Sequence, residues 1–75
     1  MKANIVSKIF IDLEKDCNEY EDGVHMSIEG NGFINNFVIC GDTEWGVDID
    51  GCLLILEDNT GTSFIDTDSI SRINI

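Results

Sequence analysis

Between Asp16 and Ser71, a stretch of 56 residues, this chain has neither lysine nor arginine. Proline is absent throughout, histidine occurs once, and no apolar run approaches the roughly 18 consecutive residues that a spanning helix needs. Each shortage bears on function. Binding polynucleotides through their phosphates depends on counterion release by Lys and Arg. A chain whose cations are confined to Lys2, Lys8, Lys15 and Arg72 is therefore poorly equipped for direct nucleic-acid contact. An anionic membrane leaflet would repel it for the same reason, so no membrane association is expected. The lone His25, flanked by Val24 and Met26, would have to serve alone in any Ser-His-Asp or Cys-His arrangement and is expected to face solvent.

Carboxylates are what the chain has in excess. Thirteen of the 15 fall within the cation-free stretch, and the formal charge is -11 on 75 residues. Self-repulsion of this kind opposes compaction and steers cationic partners at long range. The apolar fraction of 43% is nevertheless too high for a disordered acidic tail. One folded domain spanning 1-75 is expected, with a core that is small for its surface. Cys17, Cys40 and Cys52 are odd in number and widely spaced, which suits small buried thiols in a reducing cytoplasm. No basic-then-apolar leader opens the chain, because Asp12 and Glu14 interrupt the apolar cluster from Ile9 to Leu13.

Periodicity divides the chain into a helix and a series of strands. Over residues 4-21, Ile5, Val6, Ile9, Phe10, Leu13, Cys17 and Tyr20 share one arc of roughly 140° on a helical wheel, with Ile11 off it. The β-branched content keeps a strand as the alternative there. Antiparallel strands are expected over 23-75. After Asp22-Gly23, Val24, Met26 and Ile28 alternate with polar residues; Gly30-Asn31-Gly32 then turns the chain into a second strand, Phe33 to Cys40, stopped by Gly41-Asp42. Trp45, Val47 and Ile49 alternate before Asp50-Gly51, which predicts a two-residue turn pairing Ile49 with Cys52, Asp48 with Leu53 and Trp45 with Leu56. That register puts Trp45, Val47, Ile49, Cys52, Leu54 and Leu56 in a core layer and turns Leu53 and Ile55 the other way. A three-residue loop at Asn59-Thr60-Gly61 would set Leu56 opposite Phe64 and Ile55 opposite Ile65. The polar turn Asp66 to Ser69 precedes a last strand from Ile70 to Ile75.

A helix followed by short hairpin-connected strands, with a polar break before the last, is the order found in SH3-like and Sm-like small barrels. The expected fold is mainly β with an N-terminal helix: a small five- to six-stranded barrel of that kind or a strongly curved antiparallel sheet. The likeness is one of architecture, not of sequence.

No reaction is written in these residues. Asp48, Asp50 and Gly51 fall short of a calcium loop, because Gly46 stands where the first ligand belongs. Three cysteines and one histidine without a Cys-x-x-Cys pair make a poor zinc set, and Cys40 and Cys52 lack the cationic neighbours that activate a thiol. Gly30-x-Gly32 is a bare turn without a phosphate fingerprint. No enzyme activity, cofactor or metal is expected.

The acidity itself has two explanations, solubility alone or recognition of a cationic groove built for a nucleic-acid backbone. Under the second, Glu44, Asp48, Asp50, Glu57, Asp58, Asp66 and Asp68 are the candidate acceptors for Arg and Lys of a basic partner such as a nuclease or another nucleic-acid-binding protein. Asp48 and Asp50 would stand at alternate strand positions about 6.6 to 6.8 Å apart. Inhibitors of phage anti-defence type and nuclease immunity proteins share this size and charge. Alternatively, Leu53, Ile55 and Ile65 mediate self-association, as a homodimer, a higher homo-oligomer or a subunit of a larger phage assembly. A third alternative is a small-ligand sponge enclosing a nucleotide.

Overall fold

Ala3, Val6, Phe10 and Leu13 recur at the spacing of one helix face, and in the computed structural model they are the buried residues of a helix, α1, over Ala3–Cys17. The structure describes residues 1–17, 23–40 and 42–75. The expected continuation of the helix to residue 21 with Tyr20 on its arc, the side chain of Cys17, Asp22 of the first turn and Gly41 of the strand stop lie outside what is described. The buried stripe is narrower than the predicted arc, since Ile5 is exposed together with Ile11 and only Ile9 joins the stripe in part. No helix among the described residues is long and apolar enough to cross a membrane.

Six strands follow: β1 (Val24–Gly30), β2 (Phe33–Ile39), β3 (Glu44–Asp48), β4 (Leu53–Asp58), β5 (Gly61–Asp66) and β6 (Ile70–Asn74), with a short 3-10 turn, η1 (Thr67–Ser69), before the last. They form two three-stranded antiparallel sheets, ordered β2-β1-β6 and β3-β4-β5. The expectation of a single barrel or one curved sheet holds at the coarser level of a mainly β fold with an N-terminal helix. Among the described residues no strand pairing joins the two sheets.

Two polar corners carry the chain between sheets, and in each a side chain takes over backbone hydrogen bonds that a continuous ladder would have used. At the first, the Thr43 hydroxyl accepts from the Cys40 N–H (3.2 Å) and donates to the Val38 carbonyl (3.3 Å). At the second, Asp66 caps η1 by accepting from the Asp68 N–H at 3.0 Å. The Thr67 N–H there donates to the Cys52 carbonyl at 2.9 Å, which ties η1 to the β3–β4 turn. Gly30 marks where β1 comes closest to η1. A β-carbon at that position would collide with the Phe33 ring and the Ser69 carbonyl, so only glycine fits.

The core collects Val6, Phe10 and Leu13 from the helix, Met26 and Ile28 from β1, Ile39, Leu54, Leu56, Ile65 and Ile70. The helix lies against the inner face of β3, where the Phe10 and Trp45 rings meet at 5.4 Å between centroids and 38° between planes. Side chains buried as fully as Phe10, Ile28 and Leu54 each contribute about 1.5–3 kcal/mol. Thr67 is also wholly buried, and its hydroxyl has no hydrogen-bond partner among the described residues.

Three expectations need correction. The β4–β5 register differs by one residue: Leu54 faces Ile65, Ile55 faces Phe64 and Leu56 faces Ser63. The turn holds Asn59 and Thr60 alone, because the Asp58 carboxylate accepts from both the N–H (2.8 Å) and the hydroxyl (2.6 Å) of Thr60 and closes the chain one residue sooner. The β3–β4 connection is longer than two residues, with Ile49 to Cys52 forming the turn. There Asp48 accepts from the Gly51 N–H at 3.0 Å and Cys52 takes the left-handed conformation at φ 53°, so neither Ile49, which is 54% exposed, nor Cys52 continues the core layer. Cys40 and Cys52, expected as buried thiols, are free and only partly buried.

Candidate functional site

Strand alternation makes the β3-β4-β5 sheet two-faced. Trp45, Val47, Leu54, Leu56 and Ile65 turn toward the helix and core, so the intervening residues turn outward. Three cross-strand rows make up that outer face: Glu44–Glu57–Thr62, Gly46–Ile55–Phe64, and Asp48–Leu53–Asp66. Successive rows stand about 6.8 Å apart along the strands and neighbouring strands about 4.8 Å apart. An apolar middle of Leu53, Ile55 and Phe64 is thus bracketed by carboxylates at both ends. Phe64 is 66% exposed, Leu53 and Ile55 are partly exposed, and all four acids are exposed.

The seven candidate acids are therefore not one row. Glu44, Asp48, Glu57 and Asp66 share the outer face. Asp50 sits in the β3–β4 turn, so it does not stand at an alternate strand position beside Asp48 as expected. Asp68 lies in η1, which the Thr67–Cys52 hydrogen bond holds beside that same turn. Asp58 opens the β4–β5 turn and is bound locally by Thr60, whose hydroxyl first and N–H second hold its carboxyl below the ordinary range.

Glu44 and Glu57 are direct cross-strand partners, a like-charge pairing that costs stability in a sheet. No cation among the described residues pairs with either. Among the described residues the single side-chain ion pair is Arg72 Nε to Glu29 Oε2 at 3.5 Å, on the other sheet.

Of the predicted self-association residues, Leu53 and Ile55 reach the outer face whereas Ile65 is 8% exposed and packs in the core. Phe64 stands in its place. Reversing the register by one residue exchanges the two faces, and the signal that would have found Phe64 is the Asp58-x-Thr60 turn. Gly46 was also missed as a site residue. A β-carbon built there would have no neighbour within 4 Å, so the outer face is open at that position. Trp45 belongs to the core side, its ring tilted against that of Phe10.

Other chemistry finds little support. His25 is exposed, as expected for a polar strand position. Among the described residues no three His, Cys, Asp or Glu side chains converge as a metal site. A recess of about 350 Å³ beside the β4–β5 turn is lined by Phe37, Cys40, Asp42, Thr43, Asp58 and Thr60 and has no cation to receive a phosphate. Comparison with protein-family models, with curated proteins and with solved structures finds no match to this chain.

Proposed function

We propose that this is a small acidic binding protein, not an enzyme, that engages the cationic surface of a nucleic-acid-handling protein in the cytoplasm and inhibits or sequesters it. The observation that carries this reading is the outer face of β3-β4-β5: an apolar centre framed by Glu44, Glu57, Asp48 and Asp66 with no cation among them. Interfaces combine an apolar middle with a polar rim, and a rim of one charge selects a partner of the other. Phage anti-defence inhibitors and nuclease immunity proteins are the functional types that this size and charge suit. The strand order also suits an SH3-like or Sm-like barrel left open between its sheets, an architecture we include in the proposal.

Self-association through the same face is the weaker reading. Exposed Phe64 beside Leu53 and Ile55 favours it, but two copies meeting there would set carboxylates against carboxylates. The recess beside the β4–β5 turn, with no cation in its lining, does not favour the sponge reading.

Capturing partners at low salt, identifying them, and measuring affinity from about 50 to 500 mM salt tests the proposal. A basic partner whose affinity falls steeply with salt, and whose grip on DNA or RNA this protein competes, is the expected result. Affinity independent of salt, or tight binding of this protein itself to polynucleotide, would overturn it.

A further inference from the structure

Sheet β2-β1-β6 differs in charge from the acidic one. Met26, Ile28 and Ile39 turn into the core, so the rows Val38–His25, Asn36–Ser27–Asn74 and Ile34–Glu29–Arg72 turn outward. Glu29 is the one carboxylate in these rows and is paired with Arg72 at 3.5 Å, which leaves the face without net charge when His25 is neutral. At its margin β2 is an edge strand, because among the described residues no strand pairs with its other side. Open edges invite another chain, and proteins blunt them with charge, proline, bulges or brevity. β3 has Glu44 and Asp48 at its ends, β5 ends in Asp66, and β6 carries Arg72 and pairs through a register shift at Glu29–Gly30. β2 has no such protection: its seven residues hold no charge and no proline, and its register with β1 is unbroken.

The direction of the hydrogen-bonding groups of β2 is fixed at both ends of the strand. Asn31 and Gly32 alone separate the paired Gly30 and Phe33, so that pair closes the hairpin with mutual bonds. Alternation then aims the backbone of Phe33, Asn35 and Phe37 at β1 and that of Ile34, Asn36 and Val38 at the open edge. The Thr43 hydroxyl, which bonds the Cys40 N–H and the Val38 carbonyl from that side, agrees with this parity. We propose that β2 pairs with β2 of a second copy, antiparallel about a two-fold axis at Asn36, so that Ile34 meets Val38 of the partner subunit and the two neutral sheets continue as one. The edge is self-complementary. Its outward backbone groups lie symmetrically about Asn36, and the two apolar side chains brought together, Ile34 and Val38, are 66% and 42% exposed in the single chain. Charge selects the occupant. Copies of a chain with formal charge -11 repel one another, and no charged residue occurs between Glu29 and Asp42, so this is the long edge on which they can meet. A basic partner, by contrast, gains nothing from an uncharged strand. The recess beside this edge leaves room for a neighbour, while its Asp42 and Asp58 add to the general repulsion that association has to overcome. Pairing here leaves the acidic face of β3-β4-β5 uncovered and does not depend on what that face binds.

Sedimentation of the full chain from about 10 µM to about 1 mM, at low and at high salt, together with amide hydrogen exchange, provides the test. A monomer–dimer equilibrium that salt strengthens is the expected result, since screening relieves the repulsion between two acidic copies. Capture of a basic partner weakens with salt, so the two proposals fail separately. As the dimer fills, exchange of the Ile34, Asn36 and Val38 amides should slow several-fold, whereas Phe33, Asn35 and Phe37, already bonded to β1, should change little. Asn36→Pro removes one outward N–H and spares the β1 ladder, so it should weaken association about tenfold or more. Ile34→Ser keeps the backbone and should weaken it several-fold, which decides the matter if circular dichroism shows the proline variant misfolded. A chain that stays monomeric at about 1 mM in high salt, a dimer indifferent to Ile34→Ser and to a folded Asn36→Pro, or slowed exchange centred on another strand would overturn the β2 pairing.

Discussion

Reversing the charge of Glu44, of Glu57 and of both together separates the local cost of their juxtaposition from the general self-repulsion of a chain with formal charge -11. Two unit charges about 6 Å apart interact by roughly 0.7 kcal/mol in bulk water, or about 0.5 kcal/mol at 10 mM ionic strength once screened. Either single reversal, Glu44→Lys or Glu57→Lys, converts that repulsion into an attraction of similar size. Holding two long side chains together takes back part of the gain, which leaves about 0.5–1 kcal/mol of added stability. For a domain of this size that is a rise in Tm of several degrees. The double reversal restores a like-charge pair, so it should gain only the benefit of a lower net charge. Thermal unfolding followed by circular dichroism at 10 mM salt should therefore show the double variant about 1–2 kcal/mol less stable than the sum of the singles predicts, a non-additivity that shrinks at 0.5 M. Additive gains would mean that the two carboxylates do not feel each other, and the case for this pair as part of a cation-seeking rim would go with that result. Each single variant, though more stable, should bind the partner more weakly.

The β4–β5 register makes opposite predictions for neighbouring residues: Ile65→Ser should cost about 2–4 kcal/mol in chemical denaturation, and Phe64→Ser should stay within about 0.5 kcal/mol. Costs in the reverse order would restore the three-residue loop. Thr67→Val replaces a wholly buried hydroxyl that has no partner among the described residues and should stabilise the fold by about 1 kcal/mol, read as an increase in denaturation midpoint; a loss would show that the hydroxyl is satisfied in solution. Asp58 is ionised more readily in the fold than in the unfolded chain, so its contribution is full above the ordinary carboxylate range and is lost as pH falls through its lowered folded value. Carboxyl titration by NMR should find Asp58 below 3.8, and Thr60→Ala should raise it.

How much of this was legible in the sequence depended on whether one alternation or two could satisfy the core. In β3–β4 only one parity of pairing buries Trp45, Val47, Leu54 and Leu56 together, and the pairs from Trp45↔Leu56 to Asp48↔Leu53 are those predicted from the sequence. In β5 both Phe64 and Ile65 are apolar, so parity alone was indifferent and the side chain of Asp58 decided. Asp50-Gly51 misled in a similar way. Its dipeptide suits a primed turn, but the Asp48 carboxylate reaches the Gly51 N–H and the left-handed residue becomes Cys52. On the helix, the branched residues blurred the edge of the apolar arc, and Ile5 fell outside it. The acids of the outer face could be named from composition and strand position. Phe64 could not, because which of Phe64 and Ile65 is exposed follows from a register that the Asp58–Thr60 turn sets.

The helix and the acidic face lie on opposite sides of the β3-β4-β5 sheet, since Phe10 meets Trp45 on the inner side. The sequence of residues 1–17 holds Lys2, Lys8 and Lys15 against Asp12, Glu14 and Asp16, so the formal side-chain charges of that segment cancel. Three of the four cations are thus carried by a segment whose helix lies across the sheet from the carboxylates of the outer face. In the field of a positively charged body the carboxylates around Phe64 are drawn forward, which biases the orientation in which that face arrives before contact.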